Sequence, residues 1–220
     1  MTHISQIWDV KYGESFCAQE RTCIMNANNQ TTRDRIVEAA IQLFLNNPYE
    51  AVSVKDVCDA AGVTRNSFYY YFESKEIIFD AIGDWVSRTA KSRLLSALTA
   101  RTSYQQVWEI YRNYLDVQIE MGPEIMNHIC ASRTLKGRSD YYSYIDDRLS
   151  RVMTRLIANA QKDGEIRNDQ DPAILMTTSY AILRGVNIKW CFQWGEIDIY
   201  KECEEALNAL FIPNEGYELQ

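Results

Sequence analysis

Arg65 and Asn66, followed a turn later by Tyr69 and Tyr70, are the side chains of this sequence best suited to a chemical task. Arginine can make two parallel hydrogen bonds to a guanine edge, and asparagine can do the same with adenine, so the pair suits base reading in a DNA major groove. It lies within Gly62-Val63-Thr64-Arg65-Asn66-Ser67-Phe68-Tyr69-Tyr70-Tyr71-Phe72-Glu73-Ser74-Lys75. This stretch reads as a glycine turn, a short helix and the start of another. With Thr64 as N-cap and Arg65 as the first helical residue, Tyr69 lies about 40°, Asn66 about 100° and Tyr70 about 140° around the axis from Arg65. Phe68, Tyr71 and Phe72 fall on the other side, at about 300°, 240° and 340°. Val63 and Phe68 occupy the two positions of a hydrophobic staple. The tyrosine hydroxyls, Ser67, the free amides at Thr64 and the ammonium of Lys75 suit phosphate oxygens. The aromatic run from Phe68 to Phe72, taken alone, equally suits a core segment with tyrosines at its rim; the turn and the polar face favour a recognition helix.

Such a helix needs others to hold it. Thr31 or Thr32 is a natural N-cap, with Asp34 near the positive end of the helix dipole. From there Ile36, Ala39, Ala40, Leu43 and Phe44 recur at the spacing of one buried helical face, and Asn46-Asn47-Pro48 stops the run. A second helix is predicted over 54–61, with Ser53 as N-cap, Asp56 three residues on, and Val54, Val57, Cys58 and Ala61 as its apolar stripe. Gly62 supplies the positive φ that ends it. Beyond Lys75 the pattern predicts helices over 75–98, 104–121, 123–136, 141–163, 171–193 and 198–211. Gly122-Pro123, Gly137, Gly164 and Gly195 mark breaks, and Asp171-Pro172 gives an N-cap followed by proline at the first helical position.

The bulk numbers bound the class. A chain of 220 residues, 46% hydrophobic and 24% charged, can bury a substantial core in one or two domains. No apolar run is long enough for a membrane span, and no basic-then-apolar secretory leader is visible at the start. The six cysteines form no CxxC pair, so free thiols in a reducing cytoplasm are expected, with no metal site and no cofactor. Net charge is −7, which divides as −1 over residues 1–30, −1 over 31–75 and −5 over 76–220. DNA binding would therefore rest on one presented face rather than on bulk positive charge. Residues 1–30 are polar and lack a helical period; they read as an arm, either without function or touching DNA.

Residues 31–80 resemble the DNA-binding domain of the TetR family of bacterial transcription repressors. The resemblance rests on Arg35-Ile36, Ala39-Ala40, Leu43-Phe44, Ser53-Val54-Lys55-Asp56-Val57, Ala60-Ala61-Gly62-Val63, Ser67-Phe68-Tyr69-Tyr70-Tyr71-Phe72, Ser74-Lys75 and Phe79. Tyr71 stands where the family often has histidine. Lys55 sits where the family contacts the groove or backbone, the alternative being a solvated surface lysine. The resemblance implies an all-α protein: a three-helix helix-turn-helix domain (31–76), then a helical effector-binding and dimerisation domain (77–212), flanked by the arm and a tail (213–220). It implies a cytoplasmic homodimer that binds double-stranded operator DNA through Ser53, Lys55, Thr64, Arg65, Asn66, Ser67, Tyr69, Tyr70, Tyr71 and Lys75, and answers to a small-molecule effector.

The remaining two thirds fit that picture. Ile174, Thr178, Ile182, Gly185 and Val186 lie on one side of the 171–193 helix, and small residues there let a partner helix approach. Cys203, Leu207 and Leu210 recur at near-heptad spacing, as a four-helix dimer interface needs, or else they pack within one chain. Trp85, Trp108, Tyr111, Tyr114, His128 and Trp190 are candidates for an apolar pocket, although helical spacing suits several of them equally to the core. The rival class, an enzyme on a helical bundle, finds little support. Asp146-Asp147 and Glu204-Glu205 are adjacent pairs whose side chains diverge by about 100° on a helix, and no GxSxG, P-loop, HExxH or ExxH motif is present.

Overall fold

The computed structural model describes residues 31–94, 99–135 and 147–219. Its elements are α1 (Thr32–Asn46), α2 (Val54–Ala61), α3 (Arg65–Tyr71), α4 (Ile78–Ser92), α5 (Ser103–Leu135), α6 (Asp147–Lys162), α7 (Pro172–Phe192) and α8 (Ile199–Phe211), with a 3-10 turn at Tyr49–Ala51. Local chemistry sets most of the boundaries. Thr31 and Asp34 form a reciprocal capping box at the start of α1, and Ser53 and Asp56 form another at the start of α2, each satisfying two amides that the helix cannot. Gly62 closes α2 at φ 63°, the left-handed conformation that glycine adopts without strain. Asp171 caps α7 by accepting from the Ala173 amide at 2.7 Å.

Three boundaries differ from the sequence expectations. The helix predicted from residue 75 begins at Ile78, because residues 75–77 turn with 3-10-type hydrogen bonds, Ile78 N–H to Lys75 carbonyl and Phe79 N–H to Glu76 carbonyl, both 3.3 Å. Gly122-Pro123 kinks rather than separates: α5 continues through it, with Gly122 alone out of helical geometry at φ 78° and ψ 160°. The stretch 213–219, expected only as a tail, docks on the body of the chain. Asn208 holds both backbone groups of Leu219 at 3.1 Å, and the Asn214 amide donates to the Glu165 carbonyl at 2.9 Å. The arm 1–30, the predicted helix start over 141–146 and Gly137 lie outside the described residues.

One hydrophobic core runs through both halves of the chain, from Ile36 and Phe44 on α1, through Ile78 and Ile82 on α4, to Leu207 and Phe211 on α8. The Glu165 carboxylate is buried and accepts from the amides of Ser103 (3.0 Å) and Tyr104 (2.7 Å). A residue 61 positions away in sequence therefore caps α5 together with the local Thr102 hydroxyl, which accepts from the Gln105 amide at 3.1 Å. A negative charge at a helix N-terminus meets the positive end of its dipole, which fixes the α6–α7 connection against the start of α5.

Candidate nucleic-acid interface

α3 is seven residues long and is held to the domain by aromatic anchors. Phe68 is fully buried, and its ring lies 5.6 Å from that of Phe72. Phe72 caps the helix in extended geometry, φ −137° and ψ 116°, so its burial comes from the chain turning inward rather than from a helical position. Thr64 accepts from the Ser67 amide at 3.1 Å and shares a 3.0 Å hydroxyl contact with Ser67. This pins the first turn of the helix.

The face so oriented is the expected one, with one addition. Arg65 and Asn66 are exposed, and Tyr69 and Tyr70 are 53% and 81% accessible. Tyr71 departs from its predicted inward direction: it is exposed, its ring edge-on to Tyr70 at 4.9 Å. An exposed tyrosine pair of this size has no packing reason to be there, whereas ring faces and hydroxyls suit sugar and phosphate.

The cations around α3 divide by role. Lys55 is exposed on α2 and pairs with Asp59 at 2.6 Å, a contact that holds its ammonium above the usual lysine range. The Ser53 hydroxyl is taken up by the Asp56 carboxylate at 2.6 Å, and that bond holds the carboxyl of Asp56 below its ordinary value. Lys75 is the clear correction. Its ammonium donates to the carbonyls of Tyr49 and Val52, both at 2.8 Å, and sits 3.7 Å from the centre of the Tyr49 ring. It ties the 3-10 turn to the end of the reading unit instead of reaching outward. Arg33, which the sequence reading passed over, lies over the Phe72 ring at 5.5 Å and brings a second guanidinium beside α3.

Tyr49 was also missed, and it organises the junction between the two halves. Its amide donates to Glu124 at 3.1 Å and its hydroxyl to Glu76 at 2.9 Å, and burial together with that carboxylate pushes the phenol well above its usual range. His128, expected in the effector pocket, is here instead. Its ring stacks on Phe79 at 4.7 Å and contacts Tyr49 at 4.4 Å. The second limb of α5 thus carries two side chains, Glu124 and His128, into the DNA-binding half.

The other pocket candidates do not form one lining. Trp108, Tyr111, Tyr114 and Trp190 are buried and Trp85 is half-buried. Tyr111 is hydrogen-bonded to Ser179 on α7 at 2.7 Å, and Tyr114 accepts from Arg184 at 2.9 Å. Of the proposed interface residues, Ile174, Thr178 and Gly185 are exposed, while Ile182, Val186 and Leu210 are half-buried. Cys203 and Leu207 are corrected: both are buried inside the chain, and burial pushes the Cys203 thiol up to about 12. Their heptad-like stripe packs α8 onto its own subunit, the alternative that spacing alone left open. Among the described residues, no cluster of three or more His, Cys, Asp or Glu is placed to hold a metal, and no helix is long and apolar enough to cross a membrane.

Comparison with known proteins agrees with this geometry. Residues 36–82 match the family described as bacterial regulatory proteins, tetR family. The chain is 21% identical over 198 residues to the probable acrEF/envCD operon repressor of Escherichia coli, covering 84% of this chain and 89% of that one. It is 23% identical over 190 residues to the HTH-type transcriptional regulator TtgR of Pseudomonas putida, covering 82% and 90%. Among solved structures, the regulatory protein TetR from Rhodobacter sphaeroides superposes with a TM-score of 0.57 at 17% identity, covering 83% of this chain and all of that one. These relatives are transcriptional regulators; residues 36–82 of this chain match the DNA-reading domain of the bacterial regulatory proteins, tetR family, and the chain shares its all-helical fold with a solved member of that group.

Proposed function

We propose that this protein is a cytoplasmic transcriptional repressor that binds a palindromic operator as a homodimer and is released by a small-molecule effector. The observation that carries the reading is the α3 face: Arg65, Asn66, Tyr69 and Tyr70 exposed together on a helix locked from behind by Phe68 and Phe72. Residues 31–76 form the reader, with α3 entering the major groove and Ser53, Lys55, Thr64, Ser67 and Tyr71 at its margins. Residues 77–212 form the responding and dimerising part. A two-fold dimer matches half-sites about one helical turn apart or somewhat more. The outer face of α7 suits the subunit contact, since Ile174 (56% accessible), Thr178, Ala181, Gly185 and Phe192 (74% accessible) lie exposed along it. Effector binding releases the operator only if it favours a conformation whose two α3 helices no longer fit that spacing.

The test is a mobility shift on the DNA upstream of the protein's own gene with the Arg65→Ala and Asn66→Ala variants. Each bidentate base contact is worth about 1–3 kcal/mol, so each variant is expected to weaken specific binding by about tenfold or more and to relax base preference at one position. Retardation that survives the double variant unchanged removes α3 as the reader.

A further inference from the structure

We infer that Cys130 on α5 and Cys191 on α7 form a dithiol that a hydroperoxide converts to a disulfide, and that this bond weakens operator binding. The inference rests on the repressor reading above and adds an oxidant to the signals that release it. The two thiols are hydrogen-bonded to each other, Cys191 buried and Cys130 half-buried. Independent contacts hold this meeting point in place. Asn127, three residues before Cys130 and on the same side of the helix, donates to the Cys191 carbonyl at 3.0 Å. At the kink, the backbone at Gly195 comes so near that a Cβ there would lie 3.6 Å from Pro123 Cγ.

The surroundings give the two sulfurs different parts. The bond with Cys130, and after it burial, holds the Cys191 thiol well above the usual thiol range, so Cys191 keeps its proton. Cys130 is the sulfur within reach of solvent, and it is the thiolate that acts as nucleophile. The Cys130 thiolate attacks one peroxide oxygen, the O–O bond breaks, and the other oxygen takes up a proton and leaves as an alcohol, or as water from hydrogen peroxide. The Cys130 sulfenic acid then condenses with Cys191: the S–S bond forms, the S–O bond breaks, and the hydroxyl departs as water with the Cys191 proton. The two thiols give up two electrons and the peroxide takes both, so the balance closes without another reactant.

What the bond does to the reader follows from how the second limb of α5 is placed. Pro123, Asn127 and Cys130 are turned to α7 and the chain just beyond it. Glu124, His128 and Ser132 are turned to the reading unit and the start of α4: Glu124 accepts from the Tyr49 amide, His128 stacks on Phe79, and Ser132 donates to Asp80 at 2.9 Å. At 100° per residue the two sets are centred roughly 130° apart around the limb. Drawing the sulfurs from hydrogen-bonding to bonding distance therefore pulls the limb toward α7 and away from Tyr49, Phe79 and Asp80. Gly122, out of helical geometry, gives the limb a place to bend. Two readers no longer held firmly at one spacing fit a palindrome less well.

The test uses the full-length protein with Cys17→Ser and Cys23→Ser as parent, so that neither of these thiols competes. It is treated with hydrogen peroxide or cumene hydroperoxide, and peptide mapping and operator retardation are read in parallel. A peptide joining Cys130 to Cys191 and lighter by two hydrogens is expected. Operator affinity is expected to fall about tenfold and to return on reduction with dithiothreitol. Cys130→Ser, a conservative change at a half-buried position, is expected to bind the operator like the parent and to keep it under peroxide. Cys191→Ala, which removes the condensing thiol, is expected to be equally insensitive, so the test does not hang on one variant folding. The inference is overturned if no linked peptide forms, if the linked protein binds the operator like the reduced one, or if both variants lose the operator under peroxide as the parent does. Reduced protein that fails to retard DNA removes the repressor reading instead, and the linked peptide then decides the dithiol alone.

Discussion

Lys75 and Asp116 each hold a charge away from solvent, with opposite consequences. Replacing Lys75 with methionine deletes the bonds to the Tyr49 and Val52 carbonyls and the contact with the Tyr49 ring. We expect a loss of about 2 kcal/mol in urea unfolding, with the salt dependence of DNA binding unchanged. A drop of about one unit in the log–log salt slope would instead return Lys75 to the phosphate contacts. Asp116 accepts from the Tyr200 hydroxyl on α8, yet burial outweighs that bond and the neighbouring Arg112, leaving its carboxyl above the usual range. The folded state therefore holds this proton more tightly than the unfolded chain. Its contribution to stability is fully present below the ordinary aspartate pKa and lost as pH rises through the raised folded value. Asp116→Asn retains an acceptor for Tyr200 without the charge. It is expected to gain stability over the parent at neutral pH and to lose that gain as pH falls through the raised folded value, with none left below about 4, the ordinary aspartate value, in paired denaturation curves. A pH-independent difference would mean that Asp116 is not the titrating group.

Among the elements, the kinked α5 links the two halves of the chain through its second limb, and Gly122 is its weak point. Its φ of 78° with ψ of 160° is a region that residues with a side chain barely visit, and a Cβ there would meet nothing within 4 Å. Gly122→Ala therefore isolates backbone strain, and a destabilisation of about 1–3 kcal/mol is expected in chemical denaturation. A neutral result would show that the kink relaxes freely. The lower limb carries Glu124 and His128 to Tyr49 and Phe79, while Asn127 on the same limb donates to the Cys191 carbonyl of α7 at 3.0 Å. The contrast between this junction and the caps explains what could be read in the sequence. Thr31 with Asp34 and Ser53 with Asp56 act across three residues, so their chemistry is visible in the string itself. The α3 face follows from helical periodicity for the same reason. Lys75 and His128 escaped because their partners lie 26 and 79 positions away, at Tyr49. The α8 stripe escaped differently: an apolar face announces burial, but Cys203 and Leu207 carry no mark saying whose helix covers them.

For the whole molecule, a net charge of −7 means that neither non-specific attraction to DNA nor attraction between copies can substitute for matched surfaces. In the proposed dimer two readers are joined in fixed geometry, which would offset the weak binding of a single seven-residue helix with a handful of exposed polar groups. Gly185 offers a clean way to test the α7 face as that joint. It is exposed in mid-helix, and a Cβ at its position meets nothing within 4 Å, so a side chain there disturbs no packing inside the subunit. Leaving glycine in a helix interior costs about 0.8–1 kcal/mol relative to alanine, a loss better explained by close approach of a neighbour than by anything in one chain. Gly185→Arg should therefore leave the subunit as stable as the parent or slightly more so. Across a two-fold axis, however, it sets guanidinium against guanidinium in an apolar seam. Sedimentation should show a monomer, and operator binding should weaken by about a hundredfold as the second half-site loses its tethered reader. A Gly185→Arg protein that remains dimeric and binds its operator as before would move the subunit contact off α7.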